Sequence, residues 1–141
     1  YQLLLVVSTL SKERQNQELK EKLLERSNIR IVDAYVPEIQ EIYQMCDVYF
    51  FPVKQLGYCI DTPLSCLEAA SCNKPVVTTD YGEMRELIGC KGFVHIQDFS
   101  EATINDCIED ALRQSKENIR QQILSYDWTC AVNLLDSDLI V

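Results

Sequence analysis

Residues Asp61 to Glu83 read DTPLSCLEAASCNKPVVTTDYGE, and one side chain in that run stands out chemically. Glu68 is a lone carboxylate among Leu, Cys and Ala, in a stretch whose composition predicts a half-buried helix. Just before it come Thr62, Pro63 and Ser65. Thr62 suits the N-cap of that helix and Pro63 its first turn. A helix start offers unpaired backbone N–H groups and partial positive charge. The N–H groups of Leu64, Ser65 and Cys66 could therefore hold a phosphate, helped by the hydroxyls of Thr62 and Ser65. Ser65 and Glu68 stand at i and i+3, on one helix face. A carboxylate about one turn in from a phosphate would accept hydrogen bonds from both hydroxyls of a ribose. The competing reading is that Glu68 caps a neighbouring backbone group or pairs with a lysine. Residue types alone leave both open.

The elements that would position these groups alternate strictly. LLLVVS (Leu3–Ser8) is a continuous apolar run, as expected for a strand covered on both faces. Ser11 would cap a helix whose inner face is Leu19 and Leu23. IRIVDAYV (Ile29–Val36) predicts a second strand, and Pro37 opens a helix with the stripe Ile39, Ile42, Tyr43 and Cys46. DVYFFP (Asp47–Pro52) predicts a third strand, fully buried. A long polar loop leads into the helix Pro63–Cys72, which stops at Asn73. PVVTT (Pro75–Thr79) and GFVHI (Gly92–Ile96) are further strands, separated by a turn and a helical stretch at Met84–Ile88. Ile104, Cys107, Ile108, Ala111 and Leu112 form the best amphipathic stripe. Helices around Glu117–Ser125 and after Trp128 complete the order.

Strand–helix alternation with short loops predicts an α/β fold: an open, doubly wound, Rossmann-like parallel sheet of about five strands with helices on both faces. The 141 residues suit a single domain, 1–141, around one core. In such sheets ligands bind beyond the carboxyl ends of the strands. That rule selects the loops Ser8–Ser11, Tyr35–Pro37, Pro52–Thr62, Asp80–Glu83 and Gln97–Ser100. The loop Pro52–Thr62 is the longest and most polar of them, and it feeds the helix that holds Glu68.

Composition narrows the function classes. A net charge of −9 with scattered basic residues excludes the basic stripe of a nucleic-acid binder. The charges of KERQNQELKEKLLER interleave, as on a solvated helix face. No apolar run reaches the roughly 20 residues of a membrane span, and YQLLLVV lacks a basic leader. The seven cysteines are odd in number and show no paired spacing. Cys66, Cys72 and Cys107 fall inside helical patterns and read as small buried hydrophobes in a reducing, cytoplasmic setting. With a single histidine, His95, no metal site is expected.

The joined motif DVYFFPV…TPLSCLEAASCNKPVVTTDYGEMRELI resembles the C-terminal, donor-binding domain of retaining glycosyltransferases of the GT-B architecture, the group 1 type. That group shows an apolar strand ending in proline, then an LEA helix, a PVV strand and a glycine turn followed by an acid. The lead-in NIRIVDAYVPEIQEIYQMCDV and the later YDW fit as well, so the resemblance covers nearly the whole chain. It implies transfer of a sugar from a nucleoside diphosphate sugar, of uridine or guanosine, with retention and without metal or cofactor. It implies that Glu68 binds the ribose and that Thr62, Leu64 and Ser65 contact the diphosphate. Tyr35, Val36 and Pro37 would line the nucleobase, and Gly82 and Glu83 would lie in the turn facing the cleft. Glu86 matches the acid of that turn, in a structural role.

The departures matter equally. The family's first acid belongs eight residues before Glu68, where Ile60 stands, with Asp61 adjacent as a substitute. The second glycine of the turn is Glu83. A basic strand–helix unit and an N-terminal acceptor domain, both expected of intact enzymes, are not in this sequence; Lys54 is the one basic side chain near the implied phosphate. The isolated domain is thus expected to be inactive, with the full enzyme compatible with peripheral membrane association. The alternative is a non-catalytic nucleotide-binding or scaffold domain of the same fold, which the isoleucine at 60 favours. Tyr58 could stack on a base or sugar, Trp128 reads as a core anchor, Asp80 as a turn-former or ligand contact, and His95 as structural.

Overall fold

The computed structural model describes residues 1–7, 16–55, 57, 59–114, 116–127, 129, 130 and 133. The elements in chain order are β1 (Leu3–Val6), α1 (Gln17–Leu24), β2 (Ile29–Val32), α2 (Ile39–Met45) and β3 (Tyr49–Phe51). There follow α3 (Leu64–Ser71), β4 (Val76–Thr79), a 3₁₀ segment (Gly82–Leu87), β5 (Phe93–Ile96), α4 (Glu101–Arg113) and a second 3₁₀ segment (Arg120–Tyr126). The fold is α/β and Rossmann-like; the described residues form five strands, and the pairings among them are parallel. The strands pair as two small sheets, β1–β2 and β3–β4–β5. The chain divides into two compact units, Tyr1–Glu38 and Ile39–Val141.

In the first unit Leu3 pairs with Ile29 and Val6 with Val32. Asn16, not Ser11, caps α1: its side chain accepts the Leu19 N–H at 2.9 Å. Ser11 itself lies outside the described residues. Leu19 is 52% exposed rather than inward, because the partly buried positions of α1 are Lys20 and Leu23. Lys20 forms an ion pair with Asp33, just past β2, which ends at Val32, four residues short of the predicted Val36. β1 is exposed at both ends instead of covered on both faces.

The second unit holds the core. β4 is the middle strand of its sheet and is buried along its whole length. Strand alternation sends Val76 to one face and Val77 to the other. Val76 packs with Cys66, Ala69 and Ala70 of α3, together with Met84, Phe93 and Ile119. Val77 packs with Cys107 and Ala111 of α4 and with Ile96. Helices thus cover both faces of this sheet. The small residues of α3 let that helix lie close to the sheet, while the Ile104–Ala111 stripe delivers α4 to the opposite face. β3, read from sequence as fully buried, is only partly so, since in the sheet it borders β4 alone.

Termini of the helices follow local chemistry. α3 ends in a Schellman turn. Asn73 adopts φ 57°, its N–H bonds the Ala70 carbonyl at 2.9 Å, and Lys74 N–H bonds Ala69 at 3.0 Å. The Asn73 side chain also accepts the Arg120 N–H at 3.0 Å, tying the second 3₁₀ segment to this corner. α4 is capped by Ser100, whose hydroxyl accepts the Thr103 N–H at 3.2 Å. The stretches expected as helices at Met84–Ile88 and Glu117–Ser125 are 3₁₀ segments, shifted by a few residues. Trp128 lies outside the described residues.

Candidate functional site

Five hydrogen bonds fix the loops at the carboxyl ends of β3 and β4. The Thr78 hydroxyl donates to the Phe51 carbonyl at 2.9 Å. The Thr79 hydroxyl donates to the Val53 carbonyl at 3.0 Å and accepts the Val53 N–H at 3.2 Å. The buried Tyr81 phenol donates to the Cys59 carbonyl. Glu83 N–H bonds the Asp61 carbonyl at 3.0 Å. Between the last two, Gly82 has φ 51°, and a Cβ there would sit 2.3 Å from the Asp61 carbonyl oxygen. The loop that feeds α3 and the turn after β4 are thereby held against each other, with backbone touching backbone.

That loop delivers α3 with Pro63, not Thr62, in the N-cap position and no side-chain cap on the helix. Proline has no side chain able to cap, so the start depends on other partners. Cys66 N–H already bonds the Pro63 carbonyl at 3.0 Å. Of the three N–H groups expected to be open, those of Leu64 and Ser65 have no partner among the described residues. Thr62 is partly buried and Leu64 62% exposed.

Ser65 and Glu68 share the face their spacing requires, and two tyrosines meet that face. Tyr43, on α2, donates its phenol O–H to Glu68 Oε2 at 2.7 Å. Tyr49, on β3, has its phenol near enough to Ser65 to feel that side chain. The two rings meet edge to face with centroids 5.5 Å apart, and Tyr49 stacks on Phe51 at 6.1 Å. Tyr43 is buried while Glu68 is exposed. The carboxylate therefore neither caps a backbone group nor pairs with a lysine among the described residues; it accepts from a phenol. Burial, then the bond to Glu68, raises the Tyr43 pKa, so that phenol stays protonated and a donor. Burial pushes the Tyr49 phenol up to about 12.

The remaining expected residues fall as follows. Asp61 and Ile60 are exposed, Ile60 at 65%, and Asp61 contributes its carbonyl to the Glu83 contact. Glu83 is exposed in the turn after β4. The Lys54 ammonium lies over the Phe99 ring, 5.8 Å from its centroid, in a cation–π contact. Tyr35 is 81% exposed, Pro37 exposed and Val36 partly buried, all in the first unit. Asp80 pairs with Arg85 at 3.2 Å across the start of the 3₁₀ turn. Glu86 accepts the Tyr126 O–H at 3.3 Å, a packing role. Burial pushes the Cys66 thiol up to about 12 and raises that of Cys59, so neither is a ready thiolate. Tyr58 lies outside the described residues.

Sequence reasoning placed Tyr43 in an apolar stripe and missed its partnership with Glu68. A signal existed: a buried tyrosine needs a partner for its hydroxyl, and Glu68 is the lone acid of the helix Pro63–Cys72. A separate shallow depression of about 420 Å³ runs beside β5, lined by Phe93, His95, Gln97, Asp110 and Gln114 among others, and it shares no residue with the α3 start. Among the described residues no helix is long and apolar enough to cross a membrane.

The family model for glycosyl transferases group 1 matches residues 2–114, from β1 through α4. No curated protein matches the chain. The matched span contains the α3 start, Glu68 and the glycine turn, and on it the chain belongs to the glycosyl transferases group 1, as a domain of the GT-B type.

Proposed function

We propose that this chain is the donor-binding half of a retaining glycosyltransferase, holding the nucleoside diphosphate of a nucleotide sugar at the start of α3. The observation that carries the reading is the pairing of an uncapped helix start with Glu68 on the Ser65 face about one turn further in. The N–H groups of Leu64 and Ser65, with the Thr62 hydroxyl, would take the diphosphate. Glu68 would take the ribose hydroxyls. Lys54 would reach the phosphate by leaving the Phe99 ring, a small cost for a flexible ammonium. Tyr35, Val36 and Pro37 would line the base of a uridine or guanosine donor. Asp61, Gly82 and Glu83, with Ile60, would face the sugar.

Catalysis would then come from positioning and from stabilising the departing diphosphate, with no metal or cofactor beyond the donor itself. A basic strand–helix unit and an acceptor-binding domain upstream of Tyr1 would complete the enzyme. A second reading, a non-catalytic nucleotide-binding or scaffold domain, is favoured by Ile60 at the place of the family's first acid. Sugar transfer or donor hydrolysis by the chain extended upstream separates the two.

Titration with uridine and guanosine diphosphate tests the site itself. Glu68→Ala is expected to weaken the tighter of the two by about ten- to a hundredfold, the usual loss for a charged hydrogen-bond partner. Identical curves for variant and parent would refute the assignment.

A further inference from the structure

We propose that Tyr43 is a positioning residue for Glu68, committing one carboxylate oxygen inside the protein so that the other is presented to the ribose. The inference rests on the donor-site reading above. Its warrant is a contrast between the two partners. Tyr43 is 6% exposed and its ring is fixed on two sides, edge-on to Tyr49 on β3 and within the cluster that includes Cys66 and Ala69 of α3. Glu68 is exposed, carries several rotatable bonds and, left alone, would sample many rotamers. The 2.7 Å contact from Tyr43 Oη to Oε2 is the short distance of a phenol donating to an ionised carboxylate. Among the described residues no partner is found for Oε1. A rigid donor thus sets a mobile acceptor, and a ligand meeting a preset carboxylate loses less freedom on binding. A purely structural role for the contact would leave it indifferent to whether the ligand carries hydroxyls.

The test uses that difference. Uridine, guanosine and adenosine diphosphate are titrated calorimetrically into the parent chain, Tyr43→Phe and Glu68→Ala. The 2′,3′-dideoxy form of the tightest is then titrated into the same three proteins. Tyr43→Phe keeps the ring and removes only the donor, so its urea midpoint should stay near that of the parent. It should lose about five- to tenfold in affinity for the ribonucleotide and nothing for the dideoxy form. No loss for the ribonucleotide, an equal loss for both ligands, or a Tyr43→Phe chain that does not fold would each overturn the inference. If Glu68→Ala weakens the ribonucleotide while Tyr43→Phe does not, the donor site stands and the positioning role alone falls. If no diphosphate binds the parent, or Glu68→Ala is silent, the donor-site reading falls and this inference with it.

Discussion

Glu68 and Gly82 show two different ways in which a single residue is dictated by its surroundings. Glu68 is an acid in an otherwise apolar helix because a buried phenol on a neighbouring helix needs an acceptor and solvent reaches the carboxylate's other side. Gly82 is dictated by space. Its φ of 51° is unfavourable for other residues, and any Cβ would meet the Asp61 carbonyl oxygen at 2.3 Å and the Asp61 Cα at 2.7 Å. Both obstacles are backbone, which cannot rotate away. Gly82→Ala should therefore part the turn from the α3 feed loop, break the Glu83–Asp61 bond, and cost about 2–4 kcal/mol. Gly89 is the control: its φ is 83°, but no atom lies within 4 Å of a built Cβ. Gly89→Ala should cost only about 1 kcal/mol, for backbone conformation alone. Urea midpoints at unchanged m-value measure both. Equal midpoints for the two variants would show that the close approach at Asp61 carries no energy.

Among the elements, β5 carries a titration that should be visible in stability. Burial pushes the His95 pKa down, and the Asp80 charge and the Leu87 backbone oppose this only partly. Neither imidazole nitrogen completes a hydrogen bond to a described residue, and both are shut off from solvent. The folded pKa therefore lies below the unfolded value of about 6.5. Above that pH both states are neutral and the ring contributes nothing. As pH falls below it, the unfolded chain binds the proton first and stability drops, levelling once the folded pKa is passed. The slope cannot exceed about 1.4 kcal/mol per pH unit and should be a fraction of that for a partly exposed ring. His95 is the only histidine, so His95→Phe should flatten the curve between about pH 5 and 7. Asp47, Asp98 and Asp127, all held below the ordinary carboxylate range, lose their contributions only in stronger acid. An unchanged slope in His95→Phe would rule out the histidine as its source. β5 also shows what the sequence could and could not reveal. Periodicity located it and β4 nearly to the residue, and found the stripe of α4, because a face repeated at period 2 or 3.6 is a local property. The i, i+3 spacing likewise put Ser65 with Glu68. Which element that face would meet is not local: Tyr43 lies twenty-five positions away from Glu68 along the chain. The N-cap of α1 and the 3₁₀ character of Gly82–Leu87 escaped for a related reason, since several adjacent residues suit a cap and short helical stretches look alike in sequence.

For the whole molecule, burial is divided unequally between the two units, and that division should set how the chain opens. Every residue classed as buried among those described belongs to the second unit; Tyr1–Glu38 contains none. β4 stands at the opposite extreme, with Val76, Val77 and Thr78 at 0% exposure and Thr79 at 7%. Its hydrogen bonds run to β3 on one side and β5 on the other, and α3 and α4 close both faces. To expose a β4 amide, the second unit must unfold as a whole, because no smaller opening uncovers the middle strand of a sheet covered on both sides. Among the described residues β1 and β2 have only each other as hydrogen-bonded neighbouring strands. Parting them exposes little apolar surface, so local opening there should be cheap. In native-state hydrogen exchange the amides of Val77 and Thr78 should be the slowest in the chain, their rates tracking global stability as urea is added. Those of Leu5 and Val32 should exchange at least about a hundredfold faster and respond weakly to urea, since little surface is exposed in their opening. Equal protection and equal urea dependence in β1 and β4 would mean that the two units open together, and that the small sheet draws on the core of the larger one for its stability.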